Sequence, residues 1–150
     1  MPVNEEPATP AGLERINPAG LCPPTGFTHA VTATGGRLVF LAGQTALDAH
    51  GTLVGGGLPE QFERALANLL AALRAAGGGP EHLARMTVYA TDLGAYRAHA
   101  PELGRIWRAL ACRDYPAMAA VGVVRLWDEE ALIELDGVAV LPEDGAPGTG

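Results

Sequence analysis

The sequence predicts an α+β fold: a single mixed sheet with two helices packed on one face. Three features carry that expectation. Strand-type and helix-type runs succeed one another in the order βββ-α-β-α-ββ, read from apolar periodicity. Glycine clusters at 35–36, 55–57 and 77–79 separate the runs where the chain must turn. The last two strands are apolar or small at nearly every position, as in a sheet covered on both sides.

The chain of 150 residues suits one domain with a substantial core, and 48% of it is hydrophobic. Residues 1–12, rich in Pro, Glu and Ala, and residues 143–150, rich in Gly, Pro and acids, read as flexible tails around one domain at 13–142 without internal repeats. Short strands are expected at Leu13-Ile16, Thr28-Thr34 and Arg37-Ala42, with Gly35-Gly36 joining the last two as a hairpin. A loop through Asp48-Ala49-His50-Gly51 and Gly55-Gly56-Gly57 leads to Pro59, well suited to a helix N-terminus. Phe62, Leu66, Leu69, Leu70 and Leu73 then form one apolar stripe, and Gly77-Gly78-Gly79-Pro80 stops the helix.

Met86-Thr87-Val88-Tyr89-Ala90 reads as the next strand, and Asp92 as a cap for the segment after it. Pro101 fits only a first turn, so the second helix starts near Ala100 and turns Leu103, Ile106, Trp107 and Leu110 inward. Strands at Met118-Val124 and Leu132-Val140 finish the domain, joined by a connection containing Trp127-Asp128-Glu129-Glu130. Trp127 there is compatible with surface, interface or cleft rim. Ala117, Ala119, Val121 and Val123 alternate with Met118, Ala120, Gly122 and Val124, so both faces of that strand are apolar or small. Two helices cover one face only, and a second copy of the chain is the simplest cover for the other.

A formal net charge of -7, with arginines scattered rather than clustered, argues against a nucleic-acid partner and against ribonuclease chemistry. The first residues lack the basic and apolar regions of a signal peptide, and no apolar run is long enough to span a bilayer, so no membrane role and a cytoplasmic location are expected. Cys22 and Cys112 read as inert free thiols. His29, His50, His82 and His99 have no metal-ligand spacing, and Gly55-Gly56-Gly57 lacks the Lys of a phosphate-binding loop. Neither a metal nor a cofactor is expected.

Five segments in order carry a more specific message. They are Phe40-Leu41-Ala42-Gly43-Gln44, Ala65-Leu66-Ala67-Asn68-Leu69, Thr87-Val88-Tyr89-Ala90-Thr91-Asp92-Leu93, Val123-Val124-Arg125-Leu126 and Ile133-Glu134-Leu135-Asp136. Together they resemble the Rid/YjgF family of reactive-intermediate (2-imino acid) deaminases, over roughly Ile16 to Leu141. The resemblance implies a chorismate-mutase-like subunit that assembles as a homotrimer with small-molecule clefts between neighbours.

It also implies roles for particular residues. Glu134 takes the water-activating position, Gly43 and Gln44 the backbone turn, Phe27 the place of an aromatic ring that is Tyr in many relatives, and Ala120 a backbone donor. Active members carry Pro-Ala-Arg where this chain has Pro116-Ala117-Met118, and Ala100 lies near the place of a helix Asn. Met118 thus replaces the arginine that grips a carboxylate. A charge-assisted hydrogen bond is worth ~1.5–3 kcal/mol, roughly 10–150-fold in binding, and Met offers no donor. Read on the residues alone, Glu134 and Asp136 are an edge or interface pair, solvated or bonded to Arg125, and Met118 fills a gap.

Three functions are compatible with this: a small-metabolite binder that has lost 2-imino acid deamination, an imine or enamine hydrolase for substrates without a carboxylate, and a structural or partner-binding trimer.

Overall fold

A computed structural model describes residues 12–111 and 113–143. The expected tails, apart from Gly12 and Glu143, lie outside the described residues, as does Cys112. The elements run β1 (Leu13–Ile16), β2 (Ala30–Ala33), β3 (Arg37–Gln44), α1 (Leu58–Ala75), a 3₁₀ turn (Pro80–His82), β4 (Leu83–Ala90), α2 (Leu93–Ala98), α3 (Ala100–Ala111), β5 (Ala117–Gly122) and β6 (Ile133–Leu141). Among the described residues no helix is long and apolar enough to cross a membrane.

Four strands form the main sheet in the order β3-β6-β4-β5, with β4 and β5 parallel and the other pairs antiparallel. The α1 stripe lands as expected: Phe62, Leu66, Leu69, Leu70 and Leu73 are buried against Leu41, Leu83, Met86, Val88, Ile133 and Leu135. Glu60 caps the α1 N-terminus by accepting from the Gly57 N–H at 2.9 Å. At the other end the Gly77 N–H bonds Arg74 O and the Gly78 N–H bonds Leu73 O, which closes the last turn. Leu103 and Trp107 of α3 are also buried. An extra short helix, α2, precedes α3, and Asp92 caps it by accepting from the Ala95 N–H at 2.9 Å.

The expected hairpin through Gly35-Gly36 is not formed. β2 pairs with β1 instead, in the register Leu13↔Ala33 to Ile16↔Ala30. This ribbon runs past the end of the sheet at which β3, β4 and β5 begin. Thr28 is tied to β5 by its N–H to Pro116 O at 3.0 Å and its hydroxyl to Tyr115 O at 2.8 Å. Arg15 adds bonds to Tyr115 O and Glu81 O, both at 3.2 Å. Gly35 and Gly36 keep positive φ values of 68° and 92°, but they turn a corner from the ribbon into β3. A Cβ on Gly36 would collide with the Leu141 carbonyl.

The helices cover one face of the sheet. Its other face presents Leu38, Phe40 and Val121, exposed by 62%, 75% and 39%. Gln61, only 4% exposed, joins α1 to the connection that leads into β6. Its amide donates to Glu130 O at 3.3 Å and accepts from the Leu132 N–H at 2.8 Å. Gln61→Leu keeps the bulk and leaves both backbone groups without a partner. Equilibrium urea unfolding should show a loss of about 1–3 kcal/mol for this variant.

Candidate functional site

Strand register decides which predicted site residues can meet. Met118 lies opposite Met86 across the β4–β5 pair, and Glu134 lies opposite Tyr89 across the β4–β6 pair. Directly paired residues share a face, and residues three apart on β4 point to opposite faces. Met86 is fully buried under the helices, whereas Tyr89 stands on the uncovered face. Met118 and Glu134 therefore project to opposite sides of one sheet.

On the uncovered face, Glu134 stands beside Gly43, whereas Gln44 pairs with buried Leu135 and so falls on the helix side. A Cβ at Gly43 would overlap the Glu134 carboxylate, so glycine is what lets the side chain lie against the β3 backbone. The register of β3 and β6 shifts between Leu41 and Gln44, and this irregularity carries Gly43. The segment just beyond is fixed by Asn68, the amide of the Ala-Leu-x-Asn-Leu run. Its Nδ2 donates to Thr45 O at 3.1 Å and Leu47 O at 2.8 Å. The Thr45 hydroxyl in turn donates to Asp128 Oδ2 at 2.6 Å, tying this turn to the β5–β6 connection.

Burial pushes the Glu134 carboxyl above the ordinary glutamate range, and the neighbouring charges of Asp136 and Asp128 push it further. Asp136 accepts from the Tyr89 hydroxyl at 3.1 Å rather than from Arg125, and that bond raises the Tyr89 phenol. Asp128, Thr45, Asn68 and Tyr89 were not singled out as site residues from sequence. The Ala-Leu-x-Asn-Leu run was the available signal for Asn68, since a mid-helix Asn beside a loop has carbonyls to bind.

On the helix side, Met118 is half-buried in the wall of a cavity of about 570 Å³. Trp107 and Tyr115 stack in the same wall, ring centroids 5.4 Å apart and planes 14° from parallel. Phe62 and Tyr96 complete the aromatic lining, and burial raises the Tyr96 phenol. Ala100, near the place expected for an Asn, also lines it. Ala120 follows Met118 on the same side of β5 but is exposed, because β5 is an edge strand. Phe27 is half-buried with its ring edge-on to His29, centroids 5.0 Å apart, just after Thr25 and Gly26 of the cavity wall.

One chain thus brings Glu134 and Gly43 together on one face, and Met118 and Ala120 on the other, with Gln44 on the side of its partner Leu135. Among the described residues no three His, Cys, Asp or Glu side chains group as metal ligands.

Glu134 supplies a pH test. Its folded-state pKa is raised, so its protonated form is favoured by folding. That contribution is complete below the unfolded-state pKa and is lost as pH rises through the folded-state value. Glu134→Gln should therefore melt higher than the parent at pH 7, and the difference should vanish as pH falls below the ordinary glutamate range. Thermal melts across pH 3–8 read this directly.

The family model described as Endoribonuclease L-PSP matches residues 20–141. The RutC family protein slr0709 of Synechocystis is 37% identical over 118 residues, covering 77% of this chain and 86% of that protein. The 2-iminobutanoate/2-iminopropanoate deaminase of Homo sapiens is 30% identical over 105 residues, covering 69% of this chain and 73% of that enzyme. A crystal structure of YyfB from Yersinia pestis, a Rid-family protein of unknown function, superposes with a TM-score of 0.76 at 36% identity, covering 87% of this chain and 99% of that one. The matched motifs, the fold and these relatives agree: the chain belongs to the Rid/YjgF family.

Proposed function

We propose that this protein binds a small metabolite in clefts formed between copies of itself, and that it has lost 2-imino acid deamination. The observation that carries the reading is the placement of Met118 and Glu134 on opposite sheet faces. No side-chain rotation within one chain unites them, so a pocket using both needs a second copy. The exposed apolar face around Phe40 is a surface for that contact. A homotrimer closes such contacts without leaving a free end.

The chemistry of the two walls supports the loss. Met118 lies among Phe62, Trp107 and Tyr115, an apolar setting that offers a carboxylate nothing at the strand position. A 2-imino acid without that clamp forfeits roughly 10–150-fold in binding. The human relative is named for 2-iminobutanoate and 2-iminopropanoate, both short anions.

A second reading is favoured by Glu134 itself. A carboxyl with a raised pKa, held against the backbone at Gly43, is suited to accept and return a proton from water. Hydrolysis of an imine or enamine without a carboxylate would use that group while sparing the missing arginine.

Three measurements test these statements. Sedimentation should give three times the chain mass, and Phe40→Glu should shift it to the monomer. With 2-iminobutanoate generated in situ, turnover should fall well below that of the human enzyme, and Met118→Arg should raise it; parent turnover equal to the human enzyme's would overturn the loss. If an imine substrate without a carboxylate is turned over, Glu134→Gln should abolish that turnover without altering the sedimentation of the assembly.

A further inference from the structure

The cavity beside Met118 has a polarity that the strand motif does not explain. Its floor is apolar and aromatic, with Phe62 and Trp107 both buried. Its rim carries Arg105 and Arg108 of α3, both exposed, and among the described residues no carboxylate lines it. In a chain of net charge -7, two guanidinium groups at a mouth whose lining holds no carboxylate form a local positive field, with Glu102 one turn before Arg105 on the same helix. Neither arginine takes part in an ion pair among the described residues.

Two further details face the same space. A Cβ on Gly104 would come within 3.3 Å of Arg108 Nη1, so the absent side chain leaves room for that guanidinium against the helix beside the cavity. Trp107 Nε1 is buried without a hydrogen-bond partner in a residue of the cavity wall. A buried indole N–H normally finds an acceptor, and a ligand in the cavity can supply one.

We propose that this cavity takes an aromatic or branched carboxylate whose apolar body lies on Met118, Trp107 and Tyr115 and whose anionic end meets Arg105 and Arg108. The proposal rests on reading the Met118 cavity as a ligand site and adds the class of ligand. The anion is held by the helix instead of the strand. A ligand that uses both walls needs an apolar body for the floor in addition to its anionic end, and a two- or three-carbon acid has little of one. The volume of about 570 Å³ lies within the range of small-molecule sites.

Isothermal titration of the full chain with 3-phenylpropanoate, 3-phenylpropanamide and acetate tests this. The aromatic acid should bind about tenfold tighter than its neutral amide, as expected for a charge-assisted contact, and acetate should give no heat. In the double variant Arg105→Gln, Arg108→Gln the acid and amide should bind alike, with the amide affinity unchanged. Both arginines are exposed, so the variant should keep the parent melting temperature.

Equal binding of acid and amide to the parent would overturn the assignment, as would a preference surviving the double variant, or no binding by either aromatic probe. Equal binding would still leave a neutral metabolite site, so the preceding reading would stand. Fast turnover of 2-iminobutanoate would sink that reading whatever the titration gives.

Discussion

The pairing of β4 with β5 on one side and β6 on the other governs what this protein can do. It fixes the phase of both outer strands against the same central strand. A slip of one residue in β6 would bring Glu134 under the helices and put Leu135 on the open face, exchanging core for site. The buried row Ile133, Leu135, Ala139 and Leu141 forbids that slip, because each would lose its cover. Core burial and site geometry are thus one constraint.

Within that frame, a carboxylate is kept partly desolvated and close to two like charges, which costs stability at neutral pH. The surroundings hold it there through polar bonds that, among the described residues, leave Glu134 itself without a cation. Asn68 holds the backbone beyond Gly43, Thr45 engages Asp128, and Tyr89 engages Asp136. A merely structural acid would gain by pairing with an arginine. This one is surrounded by partners for its neighbours, which leaves its raised pKa uncompensated.

The order of the strands, the α1 stripe and the cap at Asp92 were all legible, since each is a local signal of periodicity or hydrogen bonding. The partner of β2 was not. Gly35-Gly36 satisfies a hairpin and a corner equally, and what decides is distant: Gly12 O accepts the Thr34 N–H, and Leu141 crowds Gly36. α2 was missed because six residues are too few to show a helical period. For the site, the motifs marked Glu134 and Gly43, and the Pro116-Ala117-Met118 run marked Met118, but they said nothing of which face each takes. That needs the register. Arg105 and Arg108 flank Trp107 at helical spacing, and only the cavity reveals that this flank is not plain solvent.

The description attached to the matching family model names an endoribonuclease, and physical chemistry weighs against that activity here. Such an enzyme must hold a polyanion along several phosphates, and each contact draws its energy from cation release at a Lys or Arg surface. The chain carries ten basic against seventeen acidic residues. On the uncovered face the ionisable groups around Gly43 are Glu134, Asp136 and Asp128, so a phosphate backbone approaching it meets repulsion. The two arginines at the mouth of the Met118 cavity are too few to track a strand of RNA along its phosphates. Charge and shape both weigh against a polynucleotide partner.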